Sequence, residues 1–274
     1  MNYEALIIDG PYLAHRSLTA PYNLTTTTGL NATMLHSFLN TLLSLNNKYH
    51  PRTLVITWES HGTPSWRRQL YSDYKPSSNI QSSYTTLLPD LKMFLHTINL
   101  RQYYAASNEA DDVIASLVTK SSKSALIFTT DKDIMQVVSN KEPHHILSNK
   151  HIFTEQDVIE KYMVRPYQIP DYLALVGDSC DNITGISGIG TKRASQLLTK
   201  YDTIEFIPHH KFKRGPKDFH KALSNKKLTL LNTEANIRTL YKPGSAISCK
   251  PKDILHKYEL KQMLKRLPEL RSLA

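Results

Sequence analysis

Apolar residues in this chain fall into two kinds of run. Short, unbroken runs alternate with longer stretches whose apolar positions recur every three or four residues. ALIID (5–9), TLVITW (53–58) and ALIFTT (125–130) are of the first kind and read as buried strands. The second kind opens at Gly29 and runs to about Tyr49, with Leu30, Met34, Phe38, Leu42 and Leu45 at helical spacing. It returns at Leu87, Leu88, Leu91, Phe94, Leu95 and Ile98. NEADDVIASLV (108–118) has acids first and apolar residues afterwards, the form of a helix start, and DKDIMQVV after the third strand repeats it. Strands separated by helices predict an α/β fold with a parallel sheet covered by helices.

The pattern changes after about residue 165, where Pro166 and Pro170 interrupt the chain. DYLALVGD reads as a helix ending in an acidic turn, and NITGISGIGTKRASQLLTKY (182–201) as a Gly-rich turn feeding a helix. The remainder of the chain reads as short, basic and mostly helical segments. PHHKFKRGPK (208–217) reads as an exposed basic loop, and the closing LKRLPELRSLA (264–274) is basic and amphipathic. These features predict two regions, 1–165 and 166–274.

Charge sharpens that division. The chain has 274 residues and a net charge of +10. Residues 1–181 carry 15 basic and 17 acidic residues, a net of −2; residues 182–274 carry 19 and 7, a net of +12. A basic excess confined to the last third points to a polyanion, nucleic acid before membrane; the competing reading is a solvated surface. Two cysteines, Cys180 and Cys249, give neither a disulfide framework nor a paired-cysteine zinc site. No stretch approaches the roughly 18 apolar residues of a membrane span. Glu4 and Asp9 do not suit a signal peptide, so a cytoplasmic location is expected.

The acids carry the chemistry. Asp9, Glu59 and Asp131 each follow one of the three strands, and Asp133 stands two residues on. Glu109, Asp111 and Asp112 open a helix, and Asp178 and Asp181 sit three apart in GDSCD. Singly, each has an ordinary explanation: first-turn acids are favoured by the helix dipole, and Gly-Asp turns are common. Together they converge on the edge where parallel sheets bind ligands. Carboxylates gathered there repel one another unless a cation lies among them. With no adjacent Cys or His pattern, hard oxygen ligands select Mg2+ or Mn2+ over Zn2+. Such a pocket beside a basic surface suggests two-metal phosphodiester chemistry. A haloacid-dehalogenase-type phosphatase is excluded by Pro11, where its second Asp is needed; no dinucleotide or P-loop fingerprint occurs. Trp66, Tyr71 and Tyr74 could simply pack a helix, His144, His145, His209 and His210 read as surface residues, and Cys180 as a packed small residue.

In order, IIDGPYLAHRS, SWRRQLYSDYK, NEADD, TTDKDIMQVV and GDSCDNITGISGIGTKRA resemble the 5′→3′ exonuclease and flap endonuclease family over roughly residues 5–200. That family includes the nuclease domain of bacterial DNA polymerase I, stand-alone bacterial homologues and phage 5′-exonucleases. The resemblance implies a PIN-like nuclease core, a helical arch and a helix–three-turn–helix element for duplex DNA. It implies that Asp9, Glu59, Glu109, Asp111 and Asp131 hold or bridge toward a first metal. Asp133, Asp178 and Asp181 would hold a second, with Asp112 supporting the cluster. Arg67, Tyr74 and Lys75 match the start of the arch: Lys75 would contact the scissile phosphate and Tyr74 would stack on a base. Arg16 matches a basic position near the first strand. Gly185, Gly188, Gly190, Lys192 and Arg193 match the duplex-gripping element, which in the family often binds K+ through backbone carbonyls.

The expected protein is thus a monomeric structure-specific 5′ nuclease with two Mg2+ (or Mn2+). It would act on branched, flapped or nicked duplex DNA in replication or repair, and leave 5′-phosphate and 3′-hydroxyl ends. Three departures stand out: Glu59 replaces the family's usual Asp, Thr130 replaces a Gly, and Ser78 replaces the second basic residue of the arch motif. Two alternatives remain: an RNA-directed PIN-type nuclease, and a decayed nuclease that only binds DNA.

Overall fold

The computed structural model describes residues 3–60, 62–75, 82–241 and 249–274. Ser78 lies outside them. The chain opens with β1 (Ala5–Asp9), α1 (Gly10–Leu18), α2 (Thr33–Tyr49), β2 (Thr53–Thr57) and the short α3 (Trp66–Leu70). It continues through α4 (Ser82–Thr97), β3 (Arg101–Ala105), α5 (Ala110–Thr119), β4 (Ala125–Phe128), β5 (His144–Ser148), β6 (His151–Phe153) and α6 (Glu155–Tyr162). Beyond lie α7 (Ile169–Val176), β7 (Gly177–Asp178), β8 (Ile183–Thr184), α8 (Thr191–Tyr201), α9 (Pro216–Thr229), β9 (Ile237–Thr239), α10 (Pro251–Lys257), α11 (Lys261–Lys265) and α12 (Leu267–Arg271).

Seven strands form one sheet in the order β6-β5-β4-β1-β2-β3-β9. Its five central strands are parallel, and β6 and β9 run antiparallel at the two edges. β1 lies at the centre because ALIID is apolar on both faces. Its partners are in step: Ala5 faces both Thr53 and Ala125, so β1, β2 and β4 end together. Three acids that follow these strands are thereby delivered to one edge.

Each face is covered by helices. Leu6 and Ile8 point into a core with α1, α2 and α4, whereas Ile7 and Ile127 face α5 and α7. The terminal helices belong to the first core: Leu255, Leu267, Leu270 and Leu273 are buried in it. Arg266 reaches Asn40 at 2.9 Å, and the Asp90 carboxylate on α4 accepts from the Tyr258 hydroxyl at 2.6 Å. The amphipathic tail is thus a packing element of the nuclease core, and β9 returns the chain to the sheet beside β3.

Several elements differ from their sequence signals. β3, β5 and β6 were not foreshadowed. RQYYA and HHILS carry charge or histidine where buried strands usually carry aliphatics. His144 and His145 are buried rather than at the surface: His145 Nδ1 meets the Tyr3 hydroxyl at 2.8 Å, and burial lowers both imidazole pKa values. DKDIMQVV forms only a 3-10 turn over Asp133–Val137. In the basic segment Phe212 is buried while His209 and His210 stay exposed.

Candidate metal-dependent nuclease site

At the shared strand edge lies an open cavity of about 420 Å3. Seven of the nine singled-out acids line it: Asp9, Glu59, Glu109, Asp111, Asp131, Asp178 and Asp181. Asp9 ends β1 and caps α1, its Oδ1 accepting the Tyr12 N–H at 3.0 Å while Oδ2 accepts from the Thr129 hydroxyl at 2.7 Å. Gly10 is required behind it, because a Cβ there would stand 2.5 Å from the Thr57 carbonyl oxygen. Glu59 sits at the exposed rim beyond β2. Glu109 caps α5, which puts Asp111 and Asp112 in its first turn.

Asp133 approaches from the side. It lies with Asp178 and Asp181 in a buried set whose ligand oxygens are all within 4.8 Å of one another. Its Oδ1 is buried and accepts no hydrogen bond among the described residues. A buried carboxylate oxygen without a donor carries a desolvation cost that a cation relieves. The donor set is all hard oxygen, which fits Mg2+ or Mn2+.

Electrostatics agree with that fit. Burial pushes the Asp9 pKa up to about 6, against the hydrogen bonds from Thr129 and Tyr12, and Asp131 adds to the rise. Asp111 is raised by burial and by the charges of Asp131 and Asp9. Asp133 is raised by burial, Asp131 and Asp181. A divalent cation among these carboxylates would offset both their burial and their mutual repulsion and favour the charged forms.

Two lysines answer the negative charge. Lys75 Nζ lies 3.1 Å from Glu109 and 3.6 Å from Asp181. Its backbone is held at φ 43°, in the left-handed region, with its N–H donating to the Asp181 carbonyl. Burial disfavours its charge, but Glu109, Asp111 and Asp181 outweigh that and raise its pKa. Lys132 Nζ donates to Asp178 Oδ1 at 2.7 Å. Lys132 and His15 both line the cavity, yet neither stood out in the sequence. Lys132 is hidden between two more conspicuous acids. His15 stacks on Tyr84 with centroids 4.0 Å apart, a contact from a different helix that spacing could not reveal.

Three expectations need correction and a fourth is made specific. Asp112, expected beside the metal cluster in support of it, is fully buried and does not line the cavity. Its oxygens accept from Arg67 at 2.7 and 2.8 Å, the Asn232 N–H at 2.8 Å and the Trp66 indole at 3.2 Å. Arg67 is correspondingly 1% exposed and also donates to the carbonyls of Leu228 and Leu230. It ties α3 to α5 and to the end of α9 instead of touching a substrate. Tyr74, 1% exposed, offers no open face for a base; its hydroxyl donates to Asp181 at 2.7 Å and Glu109 at 3.1 Å. Cys180 is exposed at the cavity, not packed, and its N–H donates to Asp178 Oδ1.

The expected duplex-binding residues lie on α8 and the turn before it. Gly190 caps α8, and Gly188 adopts φ +77° with open space where a Cβ would go. Lys192 and Arg193 are exposed in the first turn, and Arg193 also donates to the Lys211 carbonyl at 2.6 Å. Gly185 has another purpose: a Cβ there would stand 2.1 Å from the Val176 carbonyl oxygen, so it lets the β7–β8 hairpin close on α7. Arg16 is exposed on α1, its guanidinium 5.4 Å from the centre of the Phe128 ring.

Comparison with known proteins agrees with this geometry. Residues 4–163 match the 5′-3′ exonuclease N-terminal resolvase-like domain, and residues 164–262 its C-terminal SAM fold. The chain belongs to the 5′-3′ exonuclease family. It is 36% identical over 205 residues to a 5′-3′ exonuclease of Aquifex aeolicus, covering 73% of this chain and 71% of that one. It is 35% identical over 241 residues to the flap endonuclease Xni of Shewanella woodyi, covering 84% of this chain and 93% of that one. Its fold matches a bacteriophage T5 flap endonuclease, solved as a pseudo-enzyme–product complex with DNA and metal ions. The TM-score is 0.68 at 20% identity, over 93% of this chain and 99% of that one. Among the described residues no helix is long and apolar enough to cross a membrane.

Proposed function

We propose that this family member hydrolyses DNA phosphodiesters at 5′ ends and flaps, using two Mg2+ (or Mn2+) ions. The observation that carries the reading is the gathering of eight acids in and beside one open cavity, with Asp133 Oδ1 buried beside it and, among the described residues, without a hydrogen-bond donor. Asp133, Asp178 and Asp181 would hold one ion; Asp9, Glu59, Glu109, Asp111 and Asp131 would hold or bridge toward the other. Bound there, such ions activate a water as nucleophile and stabilise the leaving 3′ oxygen. Lys75, half exposed at the cavity, neutralises charge on the phosphate. Tyr74 positions Glu109 and Asp181 through its hydroxyl, and Arg67 with Asp112 fixes the start of α5. Lys192, Gly188 and Gly190 offer phosphate contacts at the N-terminus of α8, where a K+ ion on backbone carbonyls would add charge. The protein acts as a monomer on flapped, nicked or branched duplex.

The test uses 5′-labelled blunt duplex, nicked duplex, 5′ flap and single strand, with a matched RNA hairpin, each in Mg2+ and in EDTA. The reading requires cleavage of DNA in Mg2+ only, leaving 5′ phosphates. Cleavage in EDTA, or of RNA alone, overturns it.

A further inference from the structure

Lys132 sits between Asp131 and Asp133, but its ammonium reaches across to Asp178 Oδ1. That oxygen also accepts the Cys180 N–H at 3.0 Å, so both of its lone pairs are taken. The lysine side chain is 33% exposed and the Asp178 side chain 2%. The pair thus closes the solvent side of the Asp133–Asp178–Asp181 set, while Lys75 closes the side toward Glu109. Only part of the negative charge is answered, since Asp133 Oδ1 still lacks a donor among the described residues.

A divalent ion among these three carboxylates would compete with the ammonium for Asp178 and repel it. The lysine stem is a flexible four-carbon chain with an open cavity beside it. Displaced from Asp178, the ammonium remains at the cavity lining next to Thr130 and Asp131, within the space a phosphodiester must enter.

We propose that Lys132 is a positioning residue with two partners in turn. It holds Asp178 while no divalent ion is bound, and the phosphate backbone of the substrate once one is. The proposal rests on the divalent-ion reading of the site. It makes Lys132 a link between metal loading and DNA affinity.

The test compares full-length wild type, Lys132→Met and Lys132→Arg. Mn2+ binding is followed by electron paramagnetic resonance without DNA. Affinity for a 5′-flap duplex is followed by fluorescence anisotropy, once in Ca2+ and once in EDTA. Lys132→Met should tighten one Mn2+ site, that of Asp133, Asp178 and Asp181, about fivefold by removing the competing charge. It should weaken flap binding by a similar factor in Ca2+ and leave it unchanged in EDTA. Lys132→Arg should stay within about twofold of wild type throughout, because it keeps the charge. Mn2+ binding that is unchanged or weaker in Lys132→Met overturns the proposal. So does a loss of DNA affinity that is equal in Ca2+ and EDTA. Wild-type protein that binds no Mn2+ overturns the divalent-ion reading together with it.

Discussion

Asp111 and Asp112 are neighbours in the chain and perform unlike tasks. Asp111 lines the cavity, whereas Asp112 spends its oxygens on Arg67, Trp66 and the backbone of Asn232. Sequence could mark both as first-turn acids of a helix. It could not separate them, because the difference is which way a 100° step turns each side chain and what waits there. The same holds for Arg67 and Lys75, both basic residues of one motif. Arg67→Ala strips a buried carboxylate of its partner. It should cost about 3–5 kcal/mol in urea unfolding. Lys75→Ala should leave stability within about 1 kcal/mol, since the side chain is half exposed, while lowering single-turnover cleavage about 100-fold. If both variants lose stability alike, the division of roles is wrong.

Asp9 allows a further expectation. Its folded pKa of about 6 lies above the value of an unfolded chain. Its stabilising contribution is therefore complete below about pH 4 and is lost as pH rises through about 6. In EDTA, Asp9→Asn should gain about 3 kcal/mol of stability near pH 7.5 and little near pH 4. Mg2+ should erase the gain by stabilising wild type. Melting curves across that range, with and without Mg2+, check the sign; a variant less stable than wild type in EDTA at pH 7.5 contradicts it.

Elements were legible where the pattern was strong. β1, β2 and β4 begin where their apolar runs begin, and their common register explains why their acids share an edge. β5 was hidden because a buried strand opening with two histidines defeats a hydrophobicity reading; its imidazoles are satisfied by Tyr3, Asn140 and the Lys123 carbonyl, partners remote from the pattern. The terminal helices were legible as amphipathic but not as part of the sheet's core, since the partner of an apolar stripe is a tertiary fact. Gly185 likewise fitted a phosphate-binding turn, but the structure uses it for the close approach of β8 to α7. Gly185→Ala should cost about 2 kcal/mol or more through displacement of the hairpin, with a matching loss of cleavage because Asp178 and Asp181 lie on and just after β7. Gly188→Ala, in open space but at positive φ, should cost about 1 kcal/mol. Chemical denaturation of the two variants distinguishes crowding from backbone strain.

For the whole molecule, the +10 charge is an average over unlike regions. The first 181 residues carry a net −2 with their acids drawn to the cavity, and the last 93 carry +12. Lys192→Glu, Lys213→Glu and Lys217→Glu together, all exposed, should weaken flap binding and reduce its salt dependence by about three units of slope, about 0.9 for each lost phosphate contact. Mn2+ affinity should hardly move, because none of the three lines the cavity and exposed charges are screened by salt. We propose that the acids at the strand edge perform the cleavage through divalent ions and that Asp133 is indispensable among them. The most direct measurement is the single-turnover rate of Asp133→Asn on a 5′-labelled flap duplex in Mg2+, alongside its affinity for the same duplex in Ca2+. Cleavage should fall by about 1,000-fold or more, with affinity within about threefold of wild type. Cleavage at the wild-type rate would contradict the proposal.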